Sequence, residues 1–592
     1  MSGRRHSPLA LFRYWRRSHP NDPVVMFVAA ALVGVVTGYA AVGFRLALEG
    51  VQVLAFGFGG ESVFSQAALL PWWQILLIPA IGGLVIGLML QFLMPGRRPQ
   101  AVAHVIEACA LKGGRISLRE GIGAALVSAT SLGVGASTGR EGPVVHLAAS
   151  LASVAAQKMQ LGPSMRLTLL GCGVASGVAA SFNAPIAGVF FALEVVIGHY
   201  ALHAFAPVVL SAVVGTIISR IYLGDTPAFI IPPYDIVSNL EFPAFALLGL
   251  VCGIAAMIFM WSTTFTEEVV ARSRIPDILR PAAGGLLVGA IAIFYPHVLG
   301  VGYEATDAAL KEQFSLWLLL QLIVAKTAAT AISLGCRFGG GVFSPSLMLG
   351  ALVGGAFGIM AAAVFPELSA SHGAYAIIGM GAAAAAVLGA PISTILIVFE
   401  LTNDYKITIG VMLATVVATS LTNRITGKSL FHLQLERRGV NVRGGRARHF
   451  LRQRRVGEVM TADFEIIHEN ATFEEMRTLM MESAHGTFFV VDSDGGYVGT
   501  INFADLKAVA REPDLAGVVN AKDACHKSPA ILSAGQTLED ALAILDNTRE
   551  EHLPVVRSAL TGPVIGVLHH KNALVAHNRA LLQAHAEEHD ER

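Results

Sequence analysis

The residues best placed for chemistry lie in the pentapeptide GREGP, Gly139 to Pro143, which sets Arg140 and Glu141 side by side in a stretch otherwise nearly free of charge. A second glycine-rich stretch, GGGVFSP at 339 to 345, has the same build. Glycines let the backbone turn tightly and approach a ligand closely, and proline in the first helical turn gives up no hydrogen bond. A helix that begins there, inside a membrane, aims unpaired N–H groups and the positive end of its dipole at whatever lies before it. Such a start is an anion site. Backbone amides replace an anion's hydration without a fixed cation, which would hold the ion too tightly to let it leave.

A carboxylate at that position is itself an anion and competes for the site. An acid at mid-membrane costs about 2.5 to 3.5 kcal/mol on insertion scales and is functional by default. Glu141 therefore reads as a gate that swings aside or takes a proton to vacate the site. The plainer reading is an acidic helix cap with Arg140 as its ion-pair partner. His146, one turn further on, reads as a satisfied polar residue in preference to a proton relay.

The elements that must carry these motifs are membrane helices. Of 592 residues, 54% are apolar and 14% charged, with a mean hydropathy of +0.60, whereas soluble domains carry about 25% charged residues. Charges are sparse from about residue 24 to 422 and dense after 437, which divides the chain in two. Apolar runs fall near 24–49, 74–94, 121–136, 166–197, 203–222, 243–261, 282–299, 314–334, 345–365 and 374–422. Several are too short for the roughly 20 residues of a full span, and many are broken by Gly or Pro. The expectation is an all-α polytopic domain with many tilted and discontinuous helices. Arginine-rich stretches at 1–17 and 436–455 put both termini on the cytoplasmic side, in what is expected to be a bacterial inner membrane. A net charge of zero gives no nucleic-acid signal, and the five scattered cysteines propose neither a metal site nor a disulfide framework.

The membrane part repeats itself. GCGVASGVAASFNAPIAGVFFALE (171–194) and GMGAAAAAVLGAPISTILIVFELT (379–402) share a Gly-x-Gly start, a small-residue tract, Ala-Pro-Ile and a closing glutamate, with nine residues from Pro185 to Glu194 and nine from Pro391 to Glu400. Pro143 and Pro345 lie 202 apart, and Pro185 and Pro391 lie 206 apart. Duplicated halves with interrupted segments place a transporter's or channel's site where the repeats meet. Glu194 and Glu400, closing matched helices, read as structural.

These motifs resemble the CLC family of chloride channels and chloride/proton exchangers: GREGP, FNAPIAGVFFALE (182–194), GGGVFSP and FELTNDY (399–405) stand in family order over about residues 24–435. The resemblance implies two inverted repeats, about 74–222 and 282–424, in a homodimer whose subunits each hold an anion pathway. It makes Glu141 the gating glutamate and Gly139, Arg140, Gly142, Gly341, Val342 and Phe343 anion-binding positions, with the Val342 and Phe343 amides at the central site. Three departures stand out. PQAVAH (99–104) replaces a Gly-Ser-Gly-Ile-Pro-Glu start, so Gln100 stands for the anion-coordinating serine; Phe431 stands for a tyrosine; and Val195, which cannot carry a proton, stands for an internal proton-transfer acid. The last departure favours passive conduction over exchange. No grouping of nucleophile, histidine and carboxylate suggests an enzyme.

The remainder reads as a soluble α/β module: a basic linker (436–455), two copies at 456–511 and 520–578 resembling a CBS pair, and a polar tail (579–592) after a short basic cytoplasmic N-terminal tail (1–23) at the other end. FFVVD (488–492) answers to LPVVR (553–557). Such pairs often bind an adenine nucleotide; the corresponding positions are Asn502 and Asp505 in the first copy and His569 and Asn572 in the second, each set incomplete. Two readings stand: a nucleotide site, or a dimerisation and gating module without ligand. No cofactor is required for conduction.

Overall fold

The computed structural model describes residues 23–440 apart from 199–201, 226–228, 230, 231, 233, 235–238 and 367–370, and residues 451–589 apart from 452, 453, 484, 512–516, 527–529, 549 and 558–561. The basic N-terminal tail and most of the basic linker lie outside the described residues. The chain divides near residue 442 into two compact units.

The first unit is helical. In order it runs α1 (Pro23–Phe56), α2 (Val63–Ala67), α3 (Trp72–Leu93), α4 (Val102–Leu111), α5 (Leu118–Gly133), α6 (Glu141–Lys158), α7 (Pro163–Phe182), α8 (Pro185–Phe191, prolonged by a π-turn over Ala192–Ile197) and α9 (Leu202–Leu223). It continues with α10 (Phe242–Arg272), α11 (Arg280–Phe294), α12 (Tyr303–Leu310), α13 (Leu316–Gly335), α14 (Phe343–Val364), α15 (His372–Leu388), α16 (Pro391–Thr402), α17 (Tyr405–Ile425) and α18 (Leu430–Arg437). Among the described residues eight helices are long and apolar enough to cross a membrane, while α4, α8, α11, α15 and α16 are short apolar pieces.

Two long apolar runs break where the backbone turns left-handed. Asn183 (φ 59°) ends α7 ahead of Pro185, and Gly389 (φ 68°) and Asn403 (φ 52°) split the run at 374–422 into α15, α16 and α17. Asn and Gly tolerate that conformation, and Pro opens the next helix at no cost in hydrogen bonds.

The second unit holds two three-stranded sheets of one design. β1 (Ile466–His468) runs parallel to β2 (Thr487–Val491), which pairs antiparallel with β3 (Tyr497–Asn502); β4 (Leu532–Ser533), β5 (His552–Val556) and β6 (Val564–His569) repeat the order. Both copies even carry a register shift at the same place, Val490/Val491 and Val555/Val556. The helices are α19 (Phe473–Glu482), α20 (Phe503–Ala510), α21 (Ala521–Ala524), α22 (Leu538–Thr548) and α23 (His570–His589). The copies exchange their leading segments: Thr461 bridges Val567 in the second copy, and His526 bridges Thr500 in the first. Most of the expected polar tail is the continuation of α23.

Candidate functional site

The two glycine-rich helix starts meet. Gly139 and Gly341 form an antiparallel bridge in which each N–H donates to the other's carbonyl at 2.7 Å. α6 then begins at Glu141 and α14 at Phe343. The approach admits no side chain: at Gly340 (φ 143°) a Cβ would lie 2.1 Å from the Thr138 hydroxyl oxygen. Hydroxyls lock the crossing, Thr138 donating to the Gly339 carbonyl at 3.0 Å and the Ser137 N–H donating to Ser333 Oγ at 3.1 Å.

Glu141 is 1% exposed. Its Oε1 accepts from the Tyr303 hydroxyl at 2.7 Å, and Ser344 Oγ lies 2.6 Å from both carboxylate oxygens. The Arg140 guanidinium stacks 4.4 Å over the Tyr303 ring and is paired at 3.1 Å with Glu61, which also pairs with Arg45. Arg140 Nε stands 4.0 Å from Glu141 Oε1. The buried carboxylate is thus held by two hydroxyls, with the arginine charge largely committed to Glu61. Carboxylates so satisfied tolerate burial.

Three cavities have walls formed by this cluster or by residues that adjoin it. A vestibule is bordered by Arg45, Glu61, Arg140, Tyr303 and Glu304. A central cavity of about 30 Å³ is bordered by Glu141, Gly142, Gly341, Val342, Phe343 and Phe431, among others; it has room for one or two water-sized species. A third cavity of about 90 Å³ has Arg98, Arg280, Arg337 and Arg438 at its wall, together with His104 and Glu267. Glu141 and its partner Tyr303 stand between the first cavity and the second.

The repeats are also tied reciprocally. Glu400 accepts from the N–H groups of Ile186 (3.0 Å) and Ala187 (2.8 Å) at the start of α8, and Glu194 accepts from those of Ile392 (3.1 Å) and Ser393 (2.8 Å) at the start of α16. Each half's closing glutamate caps the other half's Ala-Pro-Ile helix. Val195 lies in the π-turn beside Glu194 and borders none of the three cavities.

Most of the residues singled out from sequence converge here, but Gln100 does not. Its amide donates to Glu120 at 3.2 Å and it stays off the central cavity, so it does not do the work of the missing serine. Arg140 faces the vestibule, away from the central cavity. His146 is buried with neither ring nitrogen hydrogen-bonded to a described residue, contrary to the expectation of a satisfied group. Sequence reasoning missed Tyr303, Ser344 and Gln434. Ser344 was within the quoted GGGVFSP motif; Tyr303 is 162 positions from Glu141, with no local pattern to announce it.

In the second unit the two candidate nucleotide sets fare differently. Asn502 accepts from the N–H groups of Ala504 and Asp505, and Asp505 accepts from the Asn502 N–H at 2.8 Å and contacts His526, so the first set is consumed in capping α20. His569 and Asn572 border an open cleft of about 750 Å³ with Thr461, Asp463, His485 and His552. Only the second set faces space a ligand could enter.

Comparison with known proteins bears on the family and the fold. The family model of the voltage gated chloride channel matches residues 82–423, and that of the CBS domain matches 456–512. A ClcB-like chloride channel protein of Ralstonia nicotianae is 36% identical over 66% of this chain and 92% of its own length. The chloride channel protein CLC-f of Arabidopsis thaliana is 29% identical over 81% of this chain and 69% of its own. The H(+)/Cl(-) exchange transporter ClcA of Citrobacter koseri is 28% identical over 70% and 89%. In fold, the chain is similar to a slow cyanobacterial Cl-/H+ antiporter (TM-score 0.64, 22% identity, covering 70% of this chain and 97% of that one) and to a eukaryotic CLC transporter (0.60, 19%, 95% and 98%). The chain belongs to the voltage gated chloride channel (CLC) family of membrane anion transport proteins and carries a CBS region behind its membrane domain.

Proposed function

We propose that the chain conducts chloride or similar small anions passively and selectively, with Glu141 as the gate. The observation that carries this reading is the buried Glu141 carboxylate, an anion lying at a helix start between two cavities and held by the removable hydrogen bonds of Tyr303 and Ser344. Displacing it frees space in the small cavity bordered by the helix-start residues Gly142, Gly341, Val342 and Phe343. Val195, with no proton to give, supports passive conduction over coupling. The reading extends to a homodimer in the bacterial inner membrane with both termini cytoplasmic, and to modulation by the CBS pair. An adenine nucleotide would be held at the cleft beside His569 and Asn572, since the first copy's residues are already engaged; nucleotide binding to the purified chain tests this.

The second reading is chloride/proton exchange, favoured by the names of the Citrobacter relative and the cyanobacterial neighbour. Flux from reconstituted vesicles with a proton readout separates the two. Chloride efflux without proton movement is expected; proton movement uphill, driven by a chloride gradient, sinks the passive reading.

A further inference from the structure

The central cavity and the arginine-lined cavity share four bordering residues: Ala101, Leu334, Gly340 and Gln434. These residues mark the neck between them, and only one has a polar side chain. Along the whole wall of the central cavity, Glu141 and Gln434 are the only residues with polar side chains. Glu141 repels an anion; Gln434 carries an amide NH₂. That amide makes no hydrogen bond with any described residue, although Gln434 is half-buried. It follows Phe431 by three positions on α18, which puts the two on one helix face. The group expected at Phe431 was a hydroxyl, and the amide expected to compensate at Gln100 is held by Glu120.

We propose that Gln434 is the specificity-determining residue at this neck: its amide donates to the anion as it passes between the arginine-lined cavity and the central cavity. This rests on the anion-pathway reading. A neutral donor suits the place, since it replaces part of the hydration shell without trapping the ion as a buried cation would. Beyond the neck Arg98 is set against Glu267, and Arg280 and Arg337 share Asp277, so the net positive charge that remains there, with Arg438, supplies the long-range attraction; this raises the local anion concentration but does not discriminate well between anions. The short-range donor does, preferring anions that accept hydrogen bonds strongly, such as chloride, over the weakly hydrated thiocyanate.

The test is flux of chloride and of thiocyanate from vesicles holding the full-length chain. Gln434→Leu is expected to lower the chloride-to-thiocyanate ratio about tenfold, the lower end of what one hydrogen bond to a charged group is worth. Gln434→Asn, which keeps the donor, restores most of the ratio. Gln434→Glu places a carboxylate in the neck, so chloride flux falls at neutral pH and recovers on acidification. A purely structural amide would change the yield of folded protein and leave the ratio alone. If Gln434→Leu keeps the ratio within about twofold of the native value, the inference is overturned. Should that variant not reach the membrane, wild-type flux and pH profile in Gln434→Glu overturn it equally. Native protein that carries no anion at all would instead refute the anion-pathway reading itself.

Discussion

The hydroxyl latch on Glu141 offers the sharpest test of the gate. Tyr303→Phe removes the donor that lies 2.7 Å from Oε1 while keeping the ring, and with it the stacking of Arg140 at 4.4 Å and the tilted ring contact with Phe229 at 4.9 Å. A hydrogen bond to a charged group contributes about 1.5 to 3 kcal/mol, and each 1.36 kcal/mol is about tenfold in an equilibrium. The ratio of latched to released gate should therefore fall by roughly 10- to 100-fold. Ser344→Ala removes a donor that reaches both carboxylate oxygens and should act by a similar factor. Because the two hydroxyls share one carboxylate, the double variant falls short of the product of the singles. The assay is initial chloride efflux from vesicles at pH 7.5, beside Glu141→Gln as the fully released reference. Tyr303→Phe should lie between native protein and that reference. Native rates in both single variants, with Glu141→Gln raised, would refute the latch.

Replacing Glu141 by Ala or Gln should leave anion flux intact or raised and abolish its pH dependence; a retained pH profile counts against the gate. Glu194→Gln keeps one acceptor oxygen where a carboxylate now serves the Ile392 and Ser393 N–H groups, and should cost about 1 to 3 kcal/mol in the membrane unit, read as a lower melting midpoint in detergent with flux per folded molecule retained. In the soluble unit, burial holds His552 and His569 below the ordinary histidine value; the two rings lie 4.6 Å apart, and His569 is depressed further by His552. The unfolded chain then takes up protons first, so stability is full above about pH 6.5 and falls as pH drops through that value. The protection factors of the β5 and β6 amides, corrected for the intrinsic pH dependence of exchange, should fall in the full-length chain between pH 7.5 and 5.5, less so in His569→Asn; an equal fall in both removes His569 as the cause.

Much of the membrane unit was legible because its information is local. Gly-rich stretches ahead of Pro143 and Pro345 mark helix starts by backbone chemistry alone, and the matched spacing to Glu194 and Glu400 showed that the halves correspond. Convergence was less legible. Tyr303 and Ser344 reach Glu141 across 162 and 203 positions, and only the packing of α12 and α14 brings them there. Gln100 illustrates the reverse: its place before a helix was readable, but Glu120, 20 positions on, claims its amide. Asn502 and Asp505 were ambiguous for a chemical reason, since an Asn followed by an acid three residues later is equally a helix cap.

The reciprocal caps of Glu194 and Glu400 also bear on how the chain is made. When residues 1 to 200 have left the ribosome, the N–H groups of Ile186 and Ala187 still await an acceptor carried by residue 400. In lipid such groups stay costly until paired. The first half is therefore an obligate intermediate, and completion of biogenesis is a late docking event between halves. A chain truncated between them should be recognised by quality-control proteases, whereas the two halves supplied as separate polypeptides should protect one another.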